Sequence, residues 1–290
     1  VLSKDVKEII ADLGVFYQMD FSEISEEGIY VIKYGDKVSG EFEISNNAYD
    51  ESIWKSVNFL RLLRCGEDIP GVHSACHLNC RSMHPNGSSV PNFGGWHDAG
   101  DVSQFEIPTA EMAHAIIDLA FAVKDIDELM YERLLEEARV GINWLLRTRF
   151  GDGMRALAVT YSIWRKNVLT ADNKTVYSNV AENGPFENFC ASAALAKAYL
   201  AYNDEDEVFA DWCLRSAKED FKFAKDGYAK GIYTKRWGPN VDSQVCGHGI
   251  IAAIELYKCT LDSYYIDIAA SYAKIVLLCQ QSTDPNWDIP

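Results

Sequence analysis

Gly94-Gly95-Trp96-His97-Asp98-Ala99-Gly100-Asp101 is the stretch from which the rest of the chain is read. Its two carboxylates are separated by the small residues Ala99 and Gly100, which allow a tight turn and the close approach of a ligand. Carboxylates that converge on one point can hold a single water and take its proton. Trp96 adds a flat apolar face of the kind on which sugar rings stack. Glu106-Ile107-Pro108-Thr109 follows, and proline suits the first turn of a helix. The octapeptide therefore reads as a loop feeding a helix, a functional segment held by a rigid scaffold. Asp-Ala-Gly-Asp alone would be an ordinary turn. The Gly-Gly-Trp-His lead-in points instead to a lined cleft.

The octapeptide resembles the catalytic signature of glycoside hydrolase family 9, an endoglucanase family with an (α/α)6 barrel. The likeness is to the branch that carries an immunoglobulin-like domain before the barrel. It is strong from about Tyr30 to Ala120 and returns over Asn188–Ala196. It is weak from Gly151 to Pro185, where cleft walls and substrate choice would be decided. The resemblance implies an inverting hydrolase of β-1,4-linked glucans, cellulose or cello-oligosaccharides. Asp101 then stands at the position of the general base, and Asp98 helps to hold the water. The family's general acid is a Glu near the end of the barrel.

A second set of residues follows from the same resemblance. Arg64-Cys65-Gly66, then Cys76-His77, then Trp96-His97-Asp98 are similar to the residues that hold a structural zinc beside the catalytic loop in this branch. Two thiolates and two imidazoles are a tetrahedral zinc set, although the spacing is not that of a zinc finger. Cys80, His73 and His84 are the alternates. A zinc held by four protein ligands would pin the loop of Asp98 and Asp101 rather than activate water.

Composition is compatible with this. Of the 290 residues, 48% are hydrophobic and 24% charged, ordinary for a globular chain. The net charge of -16 argues against a phosphate backbone as partner; a neutral polysaccharide or oligosaccharide fits. No apolar run approaches the ~20 residues of a membrane span, and the chain does not open on a basic-then-apolar stretch of the signal-peptide kind. The compartment stays open between the surface or exterior of an anaerobe and a cytoplasm, and the oligomeric state is not fixed. Cys190, Cys213, Cys246, Cys259 and Cys279 lie in apolar helical patterns and read as small hydrophobes.

Residues 1–45 read as β. Gly28–Lys33 and Val38–Ile44 are extended runs around a Gly35-Asp36 turn, with Val38, Phe42 and Ile44 on one buried face. This matches the C-terminal part of an immunoglobulin-like domain. From residue 46 to 290 the period is helical. The stripes run through Ile53–Arg64, Met112–Val123, Leu135–Leu145, Phe189–Leu200, Phe209–Phe221, Cys246–Tyr257 and Ile268–Cys279. The expected fold is mainly α, an (α/α)6 barrel after a β-sandwich remnant. Fewer stripes than a full barrel needs imply a chain truncated at both ends that carries the base half of the site. If the acid is present after all, Glu106, Glu182 and Glu187 are the positions to consider.

Trp164 and Trp237, with Trp96, are the candidates for sugar subsites. Asp204-Glu205-Asp206-Glu207 offers a calcium reading, but the acidic run better suits the start of the next helix through its dipole. His114 and His248 read as satisfied or surface histidines. The rival functions are an exo-acting glucosidase or glucosaminidase of the same family and a non-catalytic carbohydrate-binding fragment.

Overall fold

The computed structural model describes residues 2–11, 13–98, 103–159, 179–180, 183–232 and 242–279. Two compact units divide the chain, Val1–Ser56 and Val57–Pro290.

The first unit is built of antiparallel strand pairs. β1 (Lys7–Ala11) pairs with β2 (Gly14–Gln18), β3 (Gly28–Tyr30) with β6 (Phe42–Ile44), and β4 (Lys33–Tyr34) with β5 (Lys37–Val38). The β4–β5 turn uses Gly35 at φ 62°, a conformation glycine adopts without steric cost. Phe42 meets Phe21 and Tyr30 at ring-centroid distances of 5.5 and 6.2 Å. Val38 does not share that face: it is exposed, because residues 39–41 leave the strand and break the period. The hairpin β1–β2 is exposed on both faces, so no period-2 pattern announces it.

Helix α1 (Asp50–Leu62) begins in the first unit and runs into the second. The second unit then has short strands β7 (Arg81–Met83), β8 (Ser89–Pro91), β9 (Gln104–Phe105), β10 (Ala158–Val159) and β11 (Asn179–Val180). Between and after them come α2 (Glu106–Val123), α3 (Glu128–Arg147), α4 (Pro185–Tyr202), α5 (Glu207–Ala229), α6 (Asp242–Thr260) and α7 (Ser263–Cys279). These six form three helix hairpins, α2–α3, α4–α5 and α6–α7. Helix α4 also packs on α2 and α6, so α2, α4 and α6 form an inner layer and α3, α5 and α7 an outer one. This is the wall of an α/α toroid.

Each helix start has its own chemical reason. Asp127 caps α3 by accepting from the Met130 N–H at 2.9 Å. Asp206 caps α5, accepting from Phe209 N–H at 3.1 Å, and its other oxygen takes a hydrogen bond from Arg139. A cap of this kind is worth about 1 kcal/mol. Asp206 is therefore committed to the helix start rather than to a cation. Helix α4 opens on Pro185, with Glu187 accepting from the Gly184 N–H at 3.0 Å.

The inner helices are lined by small side chains. Ala110, Ala113 and Ala120 of α2, and Ala191, Ala194, Ala196 and Ala198 of α4, are fully buried, which lets the helix axes come close. Met112, on the stripe expected from the sequence, is 42% exposed, and Trp212 of α5 is also exposed. The stripes of α2 and α5 are rotated because the small residues next to these two large ones face inward: Ala113 and Cys213 are both buried. Arg64 lies beyond the end of α1 and serves elsewhere, as described next.

Gly141 marks one close approach. A Cβ there would stand 2.4 Å from Trp96 Cζ3. Alanine would gain about 1 kcal/mol in helix propensity, whereas overpacking against a held ring costs about 1–3 kcal/mol. At 2.4 Å the clash dominates, so Gly141→Ala is expected to lower the urea midpoint. A raised midpoint would show that the Trp96 ring moves freely.

Candidate active-site loop and metal centre

The loop between α1 and α2 is closed at its neck by an antiparallel bridge, Arg64 against Trp96. Cys65 N–H donates to Gly95 O at 2.9 Å, and His97 N–H to Leu63 O at 2.8 Å. Glu137 of α3 clamps both arms. Its Oε1 accepts from Trp96 Nε1 at 2.7 Å, and its Oε2 from Arg64 Nη2 at 2.7 Å. Glu137 is almost fully buried, where a charge is tolerated only when paired and hydrogen-bonded.

This clamp decides the role of Trp96. The ring is 5% exposed and packed on α3, so it is part of the core and offers no face to a sugar. The sequence reading of Trp96 as a stacking residue is thereby corrected. The aromatic body goes inward because its N–H finds a buried carboxylate there. Gly94 and Gly95, at φ 106° and 67°, sit under α3. A Cβ on Gly94 would lie 2.7 Å from Arg147 Nη1, and one on Gly95 3.1 Å from Trp144 Cγ. Both glycines are needed for the turn and for the close approach.

Cys65 and His97 leave the neck side by side and meet Cys76 and His77 from the middle of the loop. The four ligand atoms all lie within 4.8 Å of one another. Cys65 Sγ to Cys76 Sγ is 3.8 Å, Cys65 Sγ to His77 Nδ1 3.4 Å, and Cys76 Sγ to His97 Nε2 3.3 Å. All four residues are buried, and both cysteines are free thiols. A tetrahedral zinc with bonds of about 2.3 Å to sulfur and about 2.0–2.1 Å to nitrogen has S···S edges of about 3.8 Å and S···N edges of about 3.5 Å. The donor set therefore fits such an ion. Hydrogen bonding from the Cys65 thiol, with His77 and His97 also close, holds the Cys76 thiol well below its ordinary pKa. Burial pushes Cys65 up. His77 has φ 58°, the left-handed region uncommon for a residue with a side chain.

The alternates stand outside the group. Burial raises the Cys80 thiol to about 12. His84 accepts from Asn86 N–H at 3.0 Å and meets Asp152 at 2.9 Å. His73 faces the carbonyl of Ser74 at 2.9 Å.

Asp98 follows directly on His97 of this cluster and is exposed. Its N–H donates to Ser103 O at 2.7 Å. From there β9 pairs with β10 and leads into α2. Asp101, Trp164, Trp237 and Glu182 lie outside the described residues. Glu106 and Glu187 are fully buried at the starts of α2 and α4.

Among the described residues neither carboxyl oxygen of Glu106 has a hydrogen-bond partner, and burial drives its pKa well above the usual carboxylate range. The folded state therefore keeps a proton that the unfolded chain gives up at about pH 4.3. Stability then falls as pH rises between the unfolded and folded pKa values, by up to about 1.4 kcal/mol per pH unit. Glu106→Gln cannot ionise, so its stability relative to the unaltered chain is expected to improve from about pH 4.5 to about pH 6.5. Urea titrations at the two pH values check this. A constant difference would mean that Glu106 is ionised in the fold.

Sequence reasoning missed Glu137, which carries no motif and lies on a helix 41 residues beyond Trp96. It also missed the fully buried pair of Arg155 and Asp220. Arg155 donates from Nε and Nη2 to the two Asp220 oxygens at 2.8 and 2.7 Å.

Known proteins bear out the resemblance. The sequence model of glycosyl hydrolase family 9 matches residues 49–289. A cellodextrinase of Butyrivibrio fibrisolvens is 26% identical over 286 residues, covering 87% of this chain and 50% of that protein. A mutant of the thermostable endoglucanase from Alicyclobacillus acidocaldarius superposes with a TM-score of 0.66 at 21% identity, over 94% of this chain and 55% of that one. A Zn-binding triple mutant of another family 9 endoglucanase gives 0.67 at 22% identity, over 93% and 56%. The chain thus spans about half the length of the relatives it matches. With the family match covering most of its length and the toroid wall shared with solved family structures, this chain belongs to glycosyl hydrolase family 9.

Proposed function

We propose that the chain contributes the water-activating side of an inverting glycosidase acting on β-1,4-linked glucan. The observation that carries this is the placement of Asp98. It is exposed at the end of the neck, immediately after the buried His97, and its N–H donates to the carbonyl of Ser103. The printed names of the relatives, a cellodextrinase and endoglucanases, support the substrate class.

In this reading Asp101 takes a proton from water as the water attacks the anomeric carbon, and Asp98 orients the same water. A separate carboxylic acid protonates the leaving oxygen from about 6.5–9.5 Å away, which leaves room for the water. No residue of this chain is assigned to that role. Trp164 and Trp237 are proposed to line sugar subsites. Cys65, Cys76, His77 and His97 would hold a structural zinc, which when bound would lock the loop in place. Four protein ligands leave it no open position for chemistry.

The test is NMR of the products formed from a soluble β-1,4-glucan by the native polypeptide that carries this chain. The α-anomer is expected first. Initial β-anomer would rule out inversion, and undiminished turnover by Asp101→Ala would remove the base assignment.

A further inference from the structure

The inner helices bring a second set of ligand-type side chains together. Glu111 is the sixth residue of α2, Cys190 the sixth of α4, and His248 the seventh of α6. One layer of the inner wall, less than two turns in from the helix N-termini, thus presents a carboxylate, a thiol and an imidazole. Their ligand atoms all lie within 4.8 Å of one another. We propose that Glu111, Cys190 and His248 form a second metal site, for a divalent late first-row ion such as zinc, separate from the Cys65–Cys76–His77–His97 set.

The orientation of His248 is the first argument. Its Nδ1 lies 3.1 Å from the Gln244 carbonyl, so the ring proton sits there. Ligating histidines are commonly held this way, with the second nitrogen left bare for the metal. Here Nε2 faces Glu111 Oε1 at 2.9 Å. Two acceptors at that separation need a positive charge between them, either a proton or a metal ion. A shared proton gives no role to the Cys190 thiol beside them; a metal ion uses all three. Phe186 packs edge-on to the imidazole at 4.6 Å and helps fix the ring.

The local charge is the second argument. The Glu111 carboxylate is the negative charge that stands beside the buried Cys190 thiol. Glu106 adds no charge here, because its burial keeps it protonated. The nearby cation, Arg155, is committed to Asp220. A divalent ion would balance the Glu111 carboxylate and a Cys190 thiolate together. A carboxylate, a thiolate and an imidazole suit zinc, and three protein ligands leave its fourth position open to water or a ligand hydroxyl.

The experiment is metal stoichiometry after dialysis of the chain against buffered zinc. Two equivalents are expected for the unaltered chain, and one each for Cys190→Ala and for Cys76→Ala. Glu111 is exposed, so Glu111→Gln should fold normally. It should weaken the second equivalent by more than the roughly 10–100-fold that loss of an outer partner costs. With cobalt as probe, the Cys65→Ala, Cys76→Ala double variant should keep a thiolate charge-transfer band that is lost when Cys190→Ala is added to it. One equivalent in the unaltered chain, unchanged in Cys190→Ala and Glu111→Gln, would overturn the site and leave Glu111 and His248 as an ion pair.

Discussion

Withdrawing zinc from the Cys65–Cys76–His77–His97 set is expected to destabilise the helical unit by about 3–4 kcal/mol. A ligand that binds only the folded state stabilises it by about 2.7 kcal/mol at one hundred times its Kd and about 4.1 at one thousand times. For a unit of this size that is roughly 10 °C in Tm. The four donors are buried and their edges match a tetrahedral ion, so the metal-free state exchanges four metal–ligand bonds for weaker hydrogen bonds among the same side chains. Cys76→Ser should reproduce most of the loss, because that thiol touches both Cys65 and His97. Calorimetry with and without a chelator checks it. An unchanged Tm in the chelated protein, with Cys76→Ser equally neutral, would sink the structural-zinc reading.

Asp220→Ala is expected to cost about 3–5 kcal/mol, the range for stranding one member of a buried ion pair. Arg155 is 0% exposed, and two of its nitrogens point at Asp220. Its third donor reaches Leu145 O at 2.8 Å. Asp220 also accepts from Asn188 Nδ2 at 2.7 Å, so a second buried donor loses a partner. Against a total stability of about 5–15 kcal/mol, this brings the fold close to its limit. Replacing both members by apolar residues of similar volume should recover much of the loss, since such swaps are often neutral. The urea midpoint reads both variants. A loss below about 1 kcal/mol would mean that water reaches Arg155.

The helices were legible because their apolar residues recur at helical spacing. Leu135, Ala138, Ile142 and Leu145 are all buried as read. The layer each helix occupies was not legible. An inner helix such as α4 is buried nearly all round by alanines, which leaves no stripe, and on α2 the large Met112 faces out. The clustering of Cys65, Cys76, His77 and His97 was legible through the family resemblance, which rests on the short motifs around them. Trp96 was misread because a ring beside two carboxylates looks like a sugar platform until Glu137 is seen to hold its N–H. Glu111 and His248 are 137 positions apart, and only the hairpin packing of α2, α4 and α6 brings them together.

The neck formed by Arg64 and Trp96 changes what metal binding must accomplish. Closing a long loop costs conformational entropy that grows with the logarithm of its length. Here backbone bonds and Glu137 join the ends, so Cys65 and His97 are preorganised before an ion arrives. Only Cys76 and His77 remain to be recruited, across two shorter segments. Metal loss should then open the loop from its middle while the neck holds. In hydrogen exchange, amides around residues 72–80 should lose protection first, and those of Cys65 and His97 last.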